Sequence, residues 1–280
     1  MEPIDSTPPE LLNGEELWLA YDRTTGAATT GHLALDGTAH RLAQFPLDPT
    51  WEIILPTTGG MTLFFRLSQD HVSTGVFGAD GKFTDLVTSS LGGFFHRVTV
   101  LPAGLVMWNR TVSESGQYRS VSVIGRVHSD GRHEIISEQL LLDFWTHIVH
   151  VGDGRILFYN STSHLAATGV VTGDGGFRDL GQSFEFDAWT TILSTGDGRV
   201  LFYNSLTGDA ATGMVDADGE YVDLHSQFLG PMDFVPTTRG RFVIFRSADT
   251  LVARLDTAGV FSETAIVRDL PAQRPIVFVR

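Results

Sequence analysis

The sequence contains no cysteine and few basic residues, with 19 Lys and Arg against 33 Asp and Glu and a formal net charge of −14. Without cysteine, disulfides and thiolate catalysis are excluded. The acidic balance argues against nucleic acid and anionic membranes as partners, because both require a basic face. No apolar run approaches the length of a membrane span. The first residues lack the basic and apolar regions of a signal peptide, so a cytoplasmic protein is predicted.

Glycine is abundant, and five of the 30 glycines mark an internal repeat. Residues 145–180 and 189–224 are close copies of one pattern: an aromatic-led strand, a turn, an LFYN strand, an ATG step and a DG turn. The glycine of the ATG step recurs at intervals of 44, 50, 44 and 44 residues, and Ala253 replaces it in a sixth copy. The recurring glycines are Gly31, Gly75, Gly125, Gly169 and Gly213. A fixed period in the forties is typical of a solenoid or a β-propeller.

Each copy predicts four strands, and no segment has the pattern of a long amphipathic helix. Asp-Gly between alternating runs predicts a tight hairpin, because glycine accepts the positive φ of the turn. Six copies predict an all-β, six-bladed β-propeller of four-stranded antiparallel blades, whereas a two-sheet sandwich does not explain six matched copies. Docking the orphan strand at 275–280 beside residues 17–21 completes a blade and closes the ring. Residues 1–13 are predicted to be a tail and residues 14–280 a single domain.

The step from WTxIL through a glycine-containing turn into an LY-rich strand resembles the tachylectin-2-like propellers, and the likeness extends over the whole chain. This resemblance implies that the WTxIL strand is innermost in each blade. It also implies that N-acetylated sugars bind in pockets between blades.

One position of the predicted innermost strand varies among the copies. The third residue after the lead aromatic is always apolar and is predicted to pack between blades. The second residue lies on the opposite face and is predicted to point into the central tunnel. Its occupants are Ile53, Arg97, His147, Thr191 and Asp233. A scaffold position would repeat, so these residues predict one asymmetric site at the tunnel mouth; the alternative is polar residues that satisfy one another through tunnel water.

In this predicted site His147 donates or accepts protons, because an imidazole titrates near neutral pH. Asp233 is predicted to orient His147, and Arg97 to bind an anionic or carbonyl oxygen. The candidate substrate-binding residues are polar or aromatic side chains on or near the same strands. They are Thr191, Trp145, Trp189, Trp51, His96, Glu52, Trp108 and Tyr118. His150 lies on the same strand as His147 with the opposite parity.

Two segments depart from the repeat. Residues 110–120 include the six extra residues of the third copy, which are either a lid over one end of the ring or a longer surface hairpin. His128, His133 and Glu134 do not have a recognised zinc spacing. The DG turns lack the distal Glu of a calcium loop. No metal site is therefore predicted.

The sequence contains no nucleophile elbow, P-loop or dinucleotide fingerprint, so no cofactor is predicted. The first hypothesis is a cofactor-independent enzyme, a cyclase, isomerase or lyase of bacterial specialised metabolism, with one small-molecule site at the tunnel mouth. The alternative is a lectin-like protein that binds glycans between blades. Lectin pockets should repeat, because avidity requires several working sites. Only the fourth and fifth copies match closely, which favours the enzyme; a platform for protein partners is a third hypothesis, and the oligomeric state stays open.

Overall fold

The structure is a computed structural model, and it describes residues 15–57, 59–67, 69–114, 117–141, 144–237, 240–247, 249–270 and 276–279. The predicted tail at residues 1–13 lies outside this part of the chain. Within it, every regular element is a β-strand except one turn of 3-10 helix, Pro102–Gly104. None of the described segments is a helix long and apolar enough to cross a membrane. The cytoplasmic location stays a prediction.

Six four-stranded antiparallel sheets form the blades of a β-propeller, which confirms the predicted fold. Innermost strand first, the first three blades are β24 (Ile276–Phe278), β1 (Glu16–Tyr21), β2 (Ala27–Leu33), β3 (Ala39–Pro46); β4 (Ile53–Pro56), β5 (Met61–Arg66), β6 (His71–Phe77), β7 (Phe83–Ser90); and β8 (Arg97–Val100), β9 (Leu105–Glu114), β10 (Gln117–Val127), β11 (His133–Leu141). The other three are β12 (His147–Gly152), β13 (Arg155–Tyr159), β14 (Leu165–Val171), β15 (Phe177–Glu185); β16 (Thr191–Ser194), β17 (Arg199–Tyr203), β18 (Asp209–Val215), β19 (Tyr221–Phe228); and β20 (Asp233–Pro236), β21 (Arg241–Phe245), β22 (Thr250–Leu255), β23 (Phe261–Ile266).

The ring closes between the two ends of the chain. Strand β24 pairs antiparallel with β1 and places Phe278 opposite Trp18, which confirms the predicted docking. An ion pair between Arg241 on β21 and the fully buried side chain of Glu16 on β1 joins the sixth blade to the first. Both contacts tie the completed first blade into the ring, and β24 covers the inner edge of β1.

The repeated ATG and DG motifs hold neighbouring blades together. A Cβ on Gly213 would lie 2.2 Å from the ring of Tyr221, so the aromatic of the outermost strand requires glycine here. The threonine before the glycine of the ATG step forms a hydrogen bond to the next blade. In the fourth blade, Thr168 Oγ1 donates to the carbonyl oxygen of Gly219 at 2.9 Å. The same bond joins Thr30 to Gly81, Thr74 to Gly131, and Thr212 to Gly259. The DG glycines have the positive φ of hairpin turns, as predicted.

The innermost strands begin at one face of the ring, which we call the top face. The strand registers place their residues in four layers from top to bottom. The top layer contains Ile53, Arg97, His147, Thr191 and Asp233. The two middle layers contain Ile54, Val98, Ile148, Ile192, Phe234 and Ile276, and then Leu55, Thr99, Val149, Leu193, Val235 and Val277. The bottom layer contains Pro56, Val100, His150, Ser194, Pro236 and Phe278.

The insertion in the third copy is a longer hairpin. Asn109 on β9 lies opposite Arg97, and β9 continues to Glu114, which pairs with Gln117 on β10. The other second strands end at the level of the top layer, as at Tyr159. The β9–β10 hairpin therefore projects from the top face beside Arg97, as the hairpin interpretation predicts.

Candidate functional site

Two of the predicted catalytic residues lie side by side at the top of the tunnel. Arg97 is the first residue of β8 and His147 is the first residue of β12, and these two innermost strands are in contact. Burial lowers the pKa of His147; the Thr190 carbonyl partly opposes this shift, and the positive charge of Arg97 adds to it. His147 is therefore a neutral imidazole at pH 7 beside a fixed cation.

The chain holds the His147 ring in one orientation. Its Nε2 lies 3.2 Å from the carbonyl oxygen of Thr190, and its Nδ1 lies 3.0 Å from Thr146 Oγ1. Because a carbonyl oxygen only accepts, Nε2 carries the proton in this arrangement and Nδ1 is the basic nitrogen. The Thr146 hydroxyl that faces Nδ1 also lies 3.0 Å from the carbonyl oxygen of Tyr159. The ring also packs beside Tyr159, with centroids 5.6 Å apart. These contacts supply the orientation that catalysis by an imidazole requires.

Arg97 is a half-buried cation, and no acidic side chain of the described chain pairs with it. Its Nε is buried and makes no hydrogen bond to a described atom, and burial lowers the pKa of the guanidinium. Arginine stays protonated in proteins, so this charge persists at neutral pH. Burying a cation without a counter-charge costs free energy, and a bound anion would remove that cost.

His96 completes a basic cluster. Its ring stacks on Phe144, with centroids 6.3 Å apart and the planes 27° apart. Its Nε2 is buried without a partner among the described residues. Burial lowers the pKa of His96, and the charge of Arg97 adds to the shift. We call His96, Arg97 and His147 the basic mouth.

The predicted orienting residue is elsewhere. Asp233 begins β20, which is separated from β12 by β16 and lies across the ring from β8, and it is exposed. Thr146 and Thr190 position the His147 ring. Asp233 begins a strand two blades away from His147 and is not among the described partners of that ring, so its orienting role stays a prediction.

Two predicted substrate-binding residues of this region have different surroundings. Thr191 begins β16, which contacts β12, so it lies in the layer and sector of His147. Glu52 Oε2 accepts a hydrogen bond from Leu67 N at 2.5 Å, and its Oε1 lies 3.7 Å from the guanidinium of Arg23. Glu52 thus takes part in contacts within the first two blades rather than in the basic mouth.

Three of the predicted tryptophans belong to the core. Trp51, Trp108 and Trp145 are 8%, 0% and 7% exposed, so a substrate cannot reach them, and these three assignments are corrected. The lead aromatic packs on an aromatic residue of the second strand, as Trp145 does on Phe158 with centroids 5.6 Å apart. Only Trp189 of the predicted tryptophans is partly exposed. The side chain of Tyr118 lies outside the described part of the structure.

The tunnel itself is apolar. A cavity of about 600 Å³ is bounded by the three lower layers, and among the described residues His150 is its one titratable lining residue. The top layer does not line it, contrary to prediction. Each sheet stands edge-on to the tunnel, so Ile53 packs toward the third blade and Ile54 toward the first. Successive side chains of an innermost strand thus point to the two neighbouring blades in turn. Neither alternate set of side chains points only into the tunnel.

The basic segment of the third blade is partly buried. His128 Nε2 lies 2.9 Å from Glu134 Oε2, and the His133 ring packs edge-on against Trp108 with centroids 6.2 Å apart. Both ring nitrogens of His133 are buried without a partner among the described residues. Burial therefore lowers the pKa of His133 to about 4.

This shift predicts a loss of stability in acid. The ordinary pKa of histidine is 6.5, so between pH 6.5 and 4 the unfolded chain binds more protons than the folded chain at His133. The free energy of unfolding should fall as the pH falls through this window. His133→Phe keeps a ring against Trp108 and removes the titrating group. Urea titrations at pH 7.5 and 4.5 should show a smaller loss for His133→Phe than for the wild type; an equal loss would contradict the prediction.

A second cavity, of about 850 Å³, lies between the fourth and fifth blades. Trp189 lines it, as do acidic residues that the sequence analysis did not single out. A comparison of the two most similar copies could have found this cavity from the sequence. Glu185 and Asp209 correspond to Leu141 and Leu165 one repeat of 44 residues earlier, and both acidic residues line this cavity.

Comparisons with known proteins show the fold. No family model and no curated protein matches the chain. Similar solved structures include a candidate 6-phosphogluconolactonase from Bacteroides uniformis, with 15% identity, coverage of 95% of this chain and 99% of that chain, and a TM-score of 0.61. The periplasmic gluconolactonase PpgL of Pseudomonas aeruginosa has 9% identity, 93% and 84% coverage, and a TM-score of 0.58. Apo AztD from Citrobacter koseri has 9% identity, 94% and 97% coverage, and a TM-score of 0.53. These similarities support a propeller and do not support the specific resemblance to tachylectin-2-like propellers.

Proposed function

We propose that this propeller binds one small anionic molecule at the basic mouth and converts it by acid–base chemistry, without a nucleotide or redox cofactor. The observation that carries the proposal is the half-buried guanidinium of Arg97, which has no acidic partner among the described residues. A carboxylate or phosphate on the substrate supplies the missing counter-charge, and a guanidinium binds such groups through two parallel hydrogen bonds. Arg97 therefore anchors the substrate.

His147 is placed to transfer a proton on the anchored molecule. Its Nε2 proton is directed at the Thr190 carbonyl, which leaves Nδ1 as the base, next to the hydroxyl of Thr146. Burial and the nearby Arg97 hold the pKa of His147 below its usual value, so the imidazole is unprotonated at neutral pH. A base in this state serves an isomerisation, an elimination or the hydrolysis of an activated ring.

The similar structures agree with this class of reaction at the level of the fold. Two of those compared above are named for enzymes that act on lactones of sugar acids. Such a molecule is small, and its phosphorylated form carries the anion that Arg97 would bind. The sharing of a fold does not transfer a reaction, so the residues of the basic mouth remain the basis of the proposal.

A multivalent lectin is the less favoured alternative. Its pockets would repeat their residues from blade to blade, but two of the four acidic residues between the fourth and fifth blades, Glu185 and Asp209, correspond to Leu141 and Leu165 one repeat earlier. Within the described chain the basic mouth likewise occurs once, because the other described members of the top layer are Ile53, Thr191 and Asp233. Single sites favour a small-molecule enzyme over an avid sugar-binding protein.

The test is calorimetric binding of 6-phosphogluconate and gluconate, together with a pH-stat assay on the corresponding lactones. We expect the phosphorylated acid to bind more tightly, and Arg97→Ala to weaken it about 10- to 100-fold, the cost of a hydrogen bond to a charged group. Arg178→Ala removes an exposed arginine of β15 and should leave binding unchanged.

His147→Gln should reduce turnover with little effect on binding. Because the pKa of His147 is lowered, wild-type activity should decline in acid only below pH 6.5, the ordinary pKa of histidine. Equal binding by wild type and Arg97→Ala, or binding of neither acid, would overturn the proposal.

A further inference from the structure

The cavity between the fourth and fifth blades is a chemically distinct site, outside the basic mouth. It is formed by the end of β15, the connection into β16, and the two outer strands of the fifth blade. Its volume of about 850 Å³ lies within the range of small-molecule pockets. The connection and the start of β18 belong to the top face, so the pocket opens on the same face as the basic mouth but toward the outside of the ring.

The walls of this pocket carry only negative charge. Four acidic side chains line it, and no described lining residue is Lys, Arg or His. Within the described chain, none of the four forms an ion pair. The four are Glu185, Asp187, Asp209 and Asp223. A concave surface that carries only negative charge attracts cations and raises their local concentration.

Aromatic rings complete the pocket. Trp189, Phe186 and Tyr221 line it, and Phe186 packs edge-on against Tyr221 with centroids 4.7 Å apart. Burial raises the pKa of Tyr221, as does its 2.9 Å hydrogen bond to Asp223 Oδ1. The phenol therefore stays neutral, and its ring keeps the electron-rich face that attracts a cation. Aromatic faces and carboxylates together favour an organic cation over a metal ion, because a metal ion is coordinated by the carboxylate oxygens and not by the rings.

A neutral donor is also present. Gln227 lines the pocket, and its Nε2 is buried without a hydrogen-bond partner among the described residues. A buried donor that lacks a partner costs free energy, which an acceptor oxygen on a ligand would recover. The ligand chemistry that satisfies all three features is a positively charged nitrogen close to a hydroxyl or carbonyl oxygen.

The combination is not repeated at the equivalent place one repeat earlier. The positions of Glu185, Asp209 and Gln227 are there occupied by Leu141, Leu165 and Ser183, although residues 145–180 and 189–224 are the most similar pair of copies. Residues that differ within so close a pair are not required by the fold. Their concentration around one cavity indicates a function of that cavity.

We infer that this pocket binds a small organic cation, an ammonium compound carrying a hydroxyl or carbonyl oxygen. The rings of Trp189 and Tyr221 contact the cationic head, and the carboxylates of Asp209 and Asp223 provide the counter-charge. The inference does not rest on the proposed function, because the two sites share no residue. A propeller with both sites holds an anion above the tunnel and a cation at the rim.

Calorimetry with the full chain tests the inference, using choline as the probe and 3,3-dimethyl-1-butanol as its neutral isostere. We expect choline to bind at one site per chain, with an affinity that falls as salt rises, because exposed carboxylates are screened. The neutral isostere should bind at least about tenfold more weakly, and Trp189→Leu should weaken choline binding about tenfold, the scale of a cation–π contact.

Charge variants test whether the carboxylates of this pocket are the ones that bind choline. Asp209→Asn and Asp223→Asn should each weaken choline binding, whereas Asp179→Asn, the counterpart of Asp223 in the fourth blade, should not. Asp209 is exposed, so its substitution tests charge without risk to folding. Arg97→Ala should leave choline binding intact. The inference about this pocket and the proposed function of the basic mouth can therefore fail separately. Equal binding of choline and the isostere, binding of N-acetylglucosamine or calcium in place of choline, or no binding of choline would overturn the inference.

Discussion

Replacing Arg241 with alanine should lower the free energy of unfolding by about 3 kcal/mol or more, the usual cost of removing one member of a buried ion pair. The side chain of Arg241 is 13% exposed and that of its partner Glu16 is 0% exposed. The substitution takes this counter-charge away from a carboxylate in the interior, where charge is poorly solvated. The pair also bridges the two blades between which the ring closes, so its loss weakens the contact that holds the N-terminal strand in the ring.

The matched control is Arg246→Ala in the same blade. Arg246 and Glu263 also form an ion pair, but their side chains are 31% and 49% exposed. Exposed pairs contribute about 0–1 kcal/mol, so this variant should unfold close to the wild-type urea midpoint. Urea titrations followed by tryptophan fluorescence would measure both variants. A similar loss in the two variants would show that burial of the Arg241 pair has no special role in closing the ring.

The fold was predictable from the sequence because its determinants repeat. The DG turns and the ATG glycines recur with a fixed period, and the orphan terminal strand shows how the ring closes. The reason for the ATG step was not visible in the sequence. Thr168 reaches a carbonyl of the next blade, which only the folded ring brings near. Gly213 faces the ring of Tyr221 on the adjacent strand of its own blade, a contact that depends on the register of that hairpin.

The candidate site was predictable only in part, for geometric reasons. The layer of Arg97 and His147 follows from alignment of the copies, and they are neighbours because their blades are adjacent. Asp233 has the same layer, yet it lies across the ring. Trp145 and Trp189 occupy equivalent places in two similar copies, and only the structure shows that one is buried and the other lines a pocket. A pattern of alternating residues gives the face of a strand, but burial depends on what the adjacent blade places against it.

Gly213→Ala should be the second strongly destabilising substitution, with a loss of about 3 kcal/mol, at the upper end of what overpacking a core costs. The added methyl would lie 2.2 Å from the Tyr221 ring, well inside contact distance. That ring cannot move aside without disturbing its packing on Phe186 and Phe202, whose ring centroids lie 4.7 Å and 5.6 Å from it. The strain therefore stays in the folded state.

A control glycine and a second-site substitution isolate this mechanism. A Cβ on Gly173 meets nothing within 4 Å, so Gly173→Ala should change the free energy of unfolding by less than about 0.5 kcal/mol, as expected of an unstrained surface site. In a Tyr221→Leu background the clash is relieved, so Gly213→Ala should cost much less there than in the wild type. Such non-additivity is the signature of two residues in direct contact. Equal costs in the two backgrounds would mean that Gly213 is required by its backbone conformation and not by the ring that packs on it.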